Sequence, residues 1–343
     1  MKAIAIMALA AALLGSCASV PDEALTQTVV TNPIVDANFP DPAILQAPDG
    51  YYYVYATQGE ADGKMQNIQV VRSRDLQAWE RLGDALPQKP AWASQTQDFW
   101  APHVALHDGR YFLYYSAKPD VALVDKKSGL CLAVATAVRP QGPFTDMGHP
   151  LECGDGFINI DPMAFDDPAT GRRLLYWGSG FGPIKVRELA ADRISFLPGS
   201  KAVDLVDIIK DDSPQNYQRL VEGAWVVEHG GYYYLFYSGD NCCGRNAHYA
   251  VMVARSKSAT GPFRTLADET GSANSVILQA DSRWIAPGHN SVIKDSNGRY
   301  LTLYHAVDAK RSKDKEADEI NSRRVMLVGE MEWVNGWPRV RKE

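Results

Sequence analysis

The chain is patterned in short runs. Stretches of apolar and aromatic residues, typically strand-sized at about five to eight residues, stand between turns carrying Gly, Asp and Asn, and helix-forming runs are few. Five copies stand out: Asp49-Gly50-Tyr51-Tyr52-Tyr53-Val54-Tyr55, Asp108-Gly109-Arg110-Tyr111-Phe112-Leu113-Tyr114-Tyr115, Gly171-Arg172-Arg173-Leu174-Leu175-Tyr176-Trp177, Gly231-Tyr232-Tyr233-Tyr234-Leu235-Phe236-Tyr237 and Asn297-Gly298-Arg299-Tyr300-Leu301-Thr302-Leu303-Tyr304. The Asp-Gly and Asn-Gly pairs are hairpin signals, because the turns that suit the strand twist need positive φ. Each copy is followed by a further strand (Ile68–Arg72, Leu132–Thr136, Ile184–Glu188, Tyr249–Ala254, Arg324–Val328) and most by a closing turn such as Gly142-Pro143-Phe144 or Gly261-Pro262-Phe263.

The turn glycines recur about every 60 residues, a period that implies a repeated supersecondary unit. Hairpin-rich units of that length predict an all-β, five-bladed β-propeller with four-stranded antiparallel blades. The repeat also decides the domain count. A chain of 343 residues can hold one large domain or two ordinary ones, and five blades filling most of it leave one.

The phase of the repeat brings out candidate chemistry. Counting back nine residues, or ten in the third copy, from each turn glycine gives Asp41, Trp100, Asp161, Glu222 and His289. These lead the innermost strands, so they are expected at equivalent depths around one central channel. A buried carboxylate is costly without a partner or a task, and three converge here. Asp36, Asp166 and Asp167 are out of phase and read as turn or surface acids. His103 and His305 read as core or supporting histidines.

Composition adds limits. Lys and Arg total 35 against 41 Asp and Glu, a formal charge of −6, so the basic excess of a nucleic-acid binder is absent. At the N-terminus, Lys2 precedes an uncharged run from Ala3 to Leu14, too short for a membrane span and suited to a signal-peptide core. Leu14-Gly15-Ser16-Cys17 resembles a bacterial lipobox, in which Cys17 is lipidated; a plain secretory signal is the alternative. The expected division is a signal peptide of the lipoprotein type at 1–16, a tether at 17–32 and a catalytic propeller at 33–343. Such a protein is exported and lipid-anchored in the cell envelope, or secreted, with membrane contact only through that anchor. Export permits disulfides. Cys131–Cys153 would close a loop within one segment, whereas Cys242 and Cys243 are either a vicinal pair or two thiols.

The motifs Phe39-Pro40-Asp41-Pro42-Ala43-Ile44, Phe99-Trp100-Ala101-Pro102-His103, Ile160-Asp161-Pro162-Met163-Ala164-Phe165, Val221-Glu222-Gly223-Ala224-Trp225, Ala286-Pro287-Gly288-His289-Asn290 and Gly336-Trp337-Pro338 come in order and in phase. In them the chain resembles the five-bladed glycoside hydrolases of family 43. The resemblance implies an inverting mechanism in which Asp41 is the general base, Glu222 the general acid, and Asp161 keeps Glu222 protonated and helps to fix the substrate. It implies that Arg324 and His289 contact the sugar. Phe99 and Trp100 are expected sugar platforms, since apolar sugar faces pack on aromatic rings. No cofactor is required for such chemistry. In arabinan-active members of the family a calcium ion can sit in the channel on the equivalent of His289.

The stretches Ser238-Gly239-Asp240-Asn241-Cys242-Cys243-Gly244 and Pro287-Gly288-His289-Asn290 look most like the arabinan-active branches. The expected substrate is therefore a plant-type or other furanose-containing polysaccharide or oligosaccharide, cut at α-L-arabinofuranosyl linkages, with endo or exo action open. β-Xylosides and β-galactofuranosides are alternatives within the family. A catalytically silent glycan-binding propeller is the alternative outside it, and the presence of all three acids argues against that.

Overall fold

A computed structural model describes residues 1, 31–121, 129–311 and 323–341. The leader, most of the tether and Cys17 lie outside the described residues. Among the described residues no helix is long and apolar enough to cross a membrane.

The repeat resolves into five antiparallel sheets, each one contiguous stretch of chain. Blade 1 comprises Ala43–Gln46, Tyr52–Ala56, Gln69–Ser73 and Glu80–Asp84, paired in that order. Blade 2 comprises Phe99–His107, Arg110–Ala117, Cys131–Ala137 and Thr145–Asp146, with Glu152–Cys153 also on the third strand. Blade 3 comprises Met163–Asp166, Arg173–Trp177, Ile184–Glu188 and Val203–Val206. Blade 4 comprises Val221–His229, Tyr232–Asn241, His248–Ser256 and Arg264–Thr265, with Val276–Leu278 also on its third strand. Blade 5 comprises Trp284–Lys294, Tyr300–Asp308, Arg324–Val334 and Trp337–Val340. The expected five-bladed, four-stranded propeller is the observed fold.

The tyrosine-rich second strands hold adjacent blades together. Tyr53, Tyr55, Tyr114, Tyr115, Tyr176, Tyr234 and Tyr237 are fully buried. In each of blades 1 to 4 one tyrosine sends its hydroxyl to a carbonyl in the outer turn of the next blade. Tyr55 donates to Pro140 O (2.6 Å), Tyr114 to Arg193 O (2.9 Å), Tyr176 to Ala259 O (2.5 Å) and Tyr234 to Gly336 O (2.5 Å). A ring that buries apolar area and ends in a satisfied polar tip suits a sheet-to-sheet interface.

The circle closes between the segment before blade 1 and the third strand of blade 5. Val35 bridges Met326, Phe39 N–H donates to Arg324 O (2.8 Å), and the Asn32 side chain bonds both backbone groups of Val328 (2.8 and 3.0 Å). Two disulfides are present. Cys131–Cys153 joins residues directly opposite each other in blade 2, and Cys242 pairs with Cys243 in the loop after the second strand of blade 4.

Candidate active site

Each innermost strand begins with the same backbone irregularity. Asp41, Ala101, Asp161, Gly223 and His289 have φ of +59°, +44°, +58°, +62° and +48°. Four of the five are not glycine, and a left-handed non-glycine residue is uncommon enough to mark a site. In blade 2, Trp100 faces Ser116 and His103 faces Tyr114, so Ala101 and Pro102 share one partner residue. Blade 4 repeats this at Gly223-Ala224 and blade 5 at His289-Asn290. In blades 1 and 3 the ladder starts at Ala43 and Met163, just after Pro42 and Pro162, which have no N–H to pair. Such bulges re-aim side chains. Here they turn His289 inward, together with Trp100 and Glu222 from the residue before the bulge, while Asp41 and Asp161 stand two residues ahead of the first ladder pair of their blades and meet His289.

Asp41 is buried among cations and donors. Its Oδ1 lies 3.2 Å from Arg324 Nη1, 3.4 Å from His289 Nδ1 and 3.2 Å from His305 Nδ1. Its Oδ2 accepts from Thr57 Oγ1 at 2.5 Å. Burial alone would raise its pKa, but Arg324, His289 and His305 outweigh burial and hold the carboxyl well below its usual range. Asp41 is therefore an anion across the working pH range.

Asp161 and Glu222 are pushed the other way. Asp161 accepts Gly223 N–H at Oδ2 (2.9 Å) and has His289 Nδ1 at 3.7 Å. Burial, then the charges of Glu222 and Asp41, raise it well above an ordinary carboxyl. Burial raises Glu222 to about 7, against the opposing hydroxyl of Tyr249, which donates to Oε1 at 2.7 Å. The two carboxyls behave as a pair that keeps one proton near neutrality. Two environments thus separate a committed anion from a loaded acid, the division that acid–base hydrolysis needs.

Glycines make the Tyr249 contact possible. A Cβ on Gly288 would lie 2.0 Å from the Tyr249 ring, so only glycine lets that ring cross the blade 5 strand to reach Glu222. His305 stacks parallel to Tyr249 at 5.8 Å and is fully buried. Asp41 N–H donates to its Nδ1 (3.1 Å), which makes Nδ1 the acceptor, and burial lowers its pKa to about 4. His103 accepts Ala164 N–H (3.3 Å) against the edge of Trp225, with burial lowering its pKa to about 3, and belongs to the core.

The two aromatic candidates part company. Trp100 is half-buried in the ring and stacks on Phe157 at 5.9 Å and 23°. Phe99 is fully buried in the blade 2 core beside Tyr115, so it presents no face to a sugar, and the platform expectation stands for Trp100 alone. Adjacent strand residues point to opposite faces, so Phe99 and Trp100 could not both line the channel. Phe157, 49% exposed, was not among the sequence candidates and extends the Trp100 surface outward. Arg324, expected to contact the sugar, lies beside Asp41.

The rival acids have other partners. Asp36 pairs with Arg311 and Arg323, Asp166 with Arg193, and Asp167 accepts from Tyr233 and Thr170. Among the described residues no group of three or more His, Cys, Asp and Glu is arranged to hold a metal. Calcium takes six to eight oxygen ligands. The His289 surroundings offer one imidazole nitrogen and two carboxylates already bonded to Arg324, Thr57 and Gly223, so these residues alone do not form a calcium cage.

The model of glycosyl hydrolases family 43 matches residues 30–338. An extracellular exo-α-(1→5)-L-arabinofuranosidase of Cellvibrio japonicus is 27% identical, over 88% of this chain and 85% of its own length. An extracellular endo-α-(1→5)-L-arabinanase of Bacillus subtilis is 26% identical, over 87% and 86%. Among solved structures, the α-L-arabinanase of Cellvibrio cellulosa superposes with a TM-score of 0.71 at 22% identity, covering 89% of this chain and 95% of that one. A thermostable family-43 glycoside hydrolase gives 0.72 at 24%, covering 92% and 96%. At those identities the structural matches speak for the fold alone.

Proposed function

The chain belongs to glycoside hydrolase family 43, and from that premise we propose that it cleaves α-L-arabinofuranosyl linkages in arabinan or its oligosaccharides with inversion at the anomeric carbon. The observation that carries the mechanism is the opposite tuning of two buried acids on non-adjacent blades: Asp41 held anionic by Arg324, His289 and His305, Glu222 held loaded by burial.

Asp41 takes a proton from a water molecule as the water oxygen attacks the anomeric carbon. Glu222 gives its proton to the glycosidic oxygen as that bond breaks. Inverting pairs stand roughly 6.5–9.5 Å apart, leaving room for the water, and blades 1 and 4 are non-adjacent, with blade 5 between them. Asp161 shares the charge of the acid pair, keeping a proton on Glu222, and with Arg324 and His289 contacts the sugar bound between them. Trp100 supports an apolar sugar face. The arabinan assignment is supported by the names of the Cellvibrio and Bacillus relatives. Those relatives are also named extracellular, which supports export; lipidation at Cys17 is the form of export the leader favours.

The test is direct. Asp41→Ala and Glu222→Gln should each lower kcat on linear arabinan by about 10²- to 10⁴-fold, the usual weight of general acid–base catalysis. Glu222→Gln should lose less on an aryl arabinofuranoside with a good leaving group. Proton NMR of the first product should show the β-anomer, and the product ladder reads endo against exo action. A wild-type protein that binds arabinan and cleaves no furanoside would overturn the reading.

A further inference from the structure

The five left-handed residues share one more property. At four blade junctions the N–H of the left-handed residue donates to a side chain on the second strand of the preceding blade or, for Thr57, one residue past its end. Ala101 N–H donates to Thr57 Oγ1 (2.8 Å), Asp161 N–H to Ser116 Oγ (3.1 Å), His289 N–H to Ser238 Oγ (2.8 Å), and Asp41 N–H to His305 Nδ1 (3.1 Å) across the closure. The four acceptors are equivalent. Ser116 pairs with Trp100, Ser238 with Glu222 and His305 with Gly288, each just before the bulge, while Thr57 N–H bonds Pro40 O at the same place. At the fifth junction the equivalent residue is Gly178, bonded to Ile160 O, which has no side chain to offer. There the Asp161 carboxylate takes over and accepts Gly223 N–H.

Thr57 carries a second bond. Its hydroxyl has one proton. Ala101 N–H is a donor, so Thr57 accepts from it. The Thr57 proton goes to Asp41 Oδ2, 2.5 Å away, because an ionised carboxylate only accepts. Asp41 is held at both oxygens, by the Thr57 hydroxyl at one and by Arg324 at the other, with His289 Nδ1 also facing Oδ1. Thr57 is itself fixed. It is buried, and its carbonyl accepts from Gln69 Nε2 at 2.8 Å.

We propose that Thr57 is the positioning residue of the general base: its hydroxyl sets the rotation of the Asp41 carboxylate and ties it to the blade 2 bulge that carries Trp100. The proposal rests on the reading of Asp41 as base. A base held to one orientation is aimed at the attacking water before substrate arrives, and such preorganisation acts on kcat rather than on binding.

Thr57→Val keeps the shape and removes the donor. It should lower kcat about tenfold or more while KM stays within about threefold, as expected for a lost orienting contact. Water activation is needed whatever leaves, so the deficit should be equal on arabino-oligosaccharide and on an activated aryl arabinofuranoside, unlike that of Glu222→Gln. Thr57→Ser restores the hydroxyl and should recover most of kcat. A residue that only ties blades would lower the melting temperature of the valine variant and leave kcat of the folded protein intact. If the valine variant does not fold, Thr57→Cys, a weak donor of similar size, should give an intermediate kcat. Wild-type kcat in either variant, with Asp41→Ala inactive, overturns the proposal. Turnover retained in Asp41→Ala instead points to the base assignment as the fault.

Discussion

Tyr249→Phe tests the electrostatics of the acid with one atom removed. The Tyr249 hydroxyl donates to Glu222 Oε1 at 2.7 Å in a buried site, and that bond favours the charged carboxylate. The ring stays, still packed over Gly288 and parallel to His305. A hydrogen bond to a charged group is worth about 1.5–3 kcal/mol, and one pKa unit corresponds to about 1.4 kcal/mol, which brackets the shift at about one to two units. The protonated acid can return a hydrogen bond to the hydroxyl, so the lower end applies, about one unit. The sign follows. Without the donor the anion is less stable, Glu222 holds its proton to higher pH, and the alkaline limb of the rate profile moves up. Asp41 and Arg324, the other charges acting on Glu222, are untouched. The assay is kcat/KM against pH on an arabino-oligosaccharide, wild type beside variant. An alkaline limb that stays in place or moves down would refute the assignment of Glu222 as the acid, or of Tyr249 as its donor.

Other outcomes follow from the same contacts. Phe157→Ala removes the ring stacked on Trp100 and should raise KM for arabino-oligosaccharides about three- to tenfold with kcat little changed, the weight of one aromatic contact; an unchanged KM would leave Phe157 without a substrate role. His305 and His103 are neutral in the fold, with pKa values lowered from 6.5 to about 4 and about 3, and become charged on unfolding. Their stabilities are complete above pH 6.5 and are lost as pH falls toward the folded values, so by pH 5 each should remove about 2 kcal/mol. Glu222 and Asp161, whose carboxyls are raised in the fold, gain stability over the same range, so the loss is read in a Glu222→Gln, Asp161→Asn background that removes the opposing gain; there thermal melts should fall from pH 7 to pH 5, and a flat profile would show these imidazoles to be solvated. Replacing both Cys131 and Cys153 by serine opens a loop with a sequence separation of 22 and should cost about 3 kcal/mol in denaturant titrations.

The blades and the ring were legible because both rest on local signals in phase. Asp-Gly and Asn-Gly pairs fix hairpins, and equal spacing makes Asp41, Trp100, Asp161, Glu222 and His289 equivalent without any knowledge of contacts. Phe99 shows the limit of a motif: it travels with Trp100 in sequence, yet strand alternation sends it into the core. Tyr249, Thr57 and His305 were not singled out as site residues, because they sit on second and third strands where tyrosine, threonine and histidine equally suit a packed sheet. Their clue is indirect. Gly288 and Gly178 are places where a strand gives up its side chain, and a neighbouring group fills the room or takes over the bond. Phe157 lies in a loop, and only its exposure and its stacking on Trp100 set it apart.

The seam of the propeller has a consequence for how the protein comes into being. Blade 1 is the first to leave the ribosome and blade 5 the last, and no strand is shared between them. Yet, among the described residues, Arg324 and the His289 imidazole that face the Asp41 carboxylate, together with the His305 acceptor of its N–H, come from blade 5. Until the C-terminal quarter is made, the nascent site holds a carboxylate with neither charge partner nor backbone anchor. Completion of the Asp41 surroundings and closure of the circle are thus one event. Chains interrupted before Arg324 should be wholly inert rather than partly active.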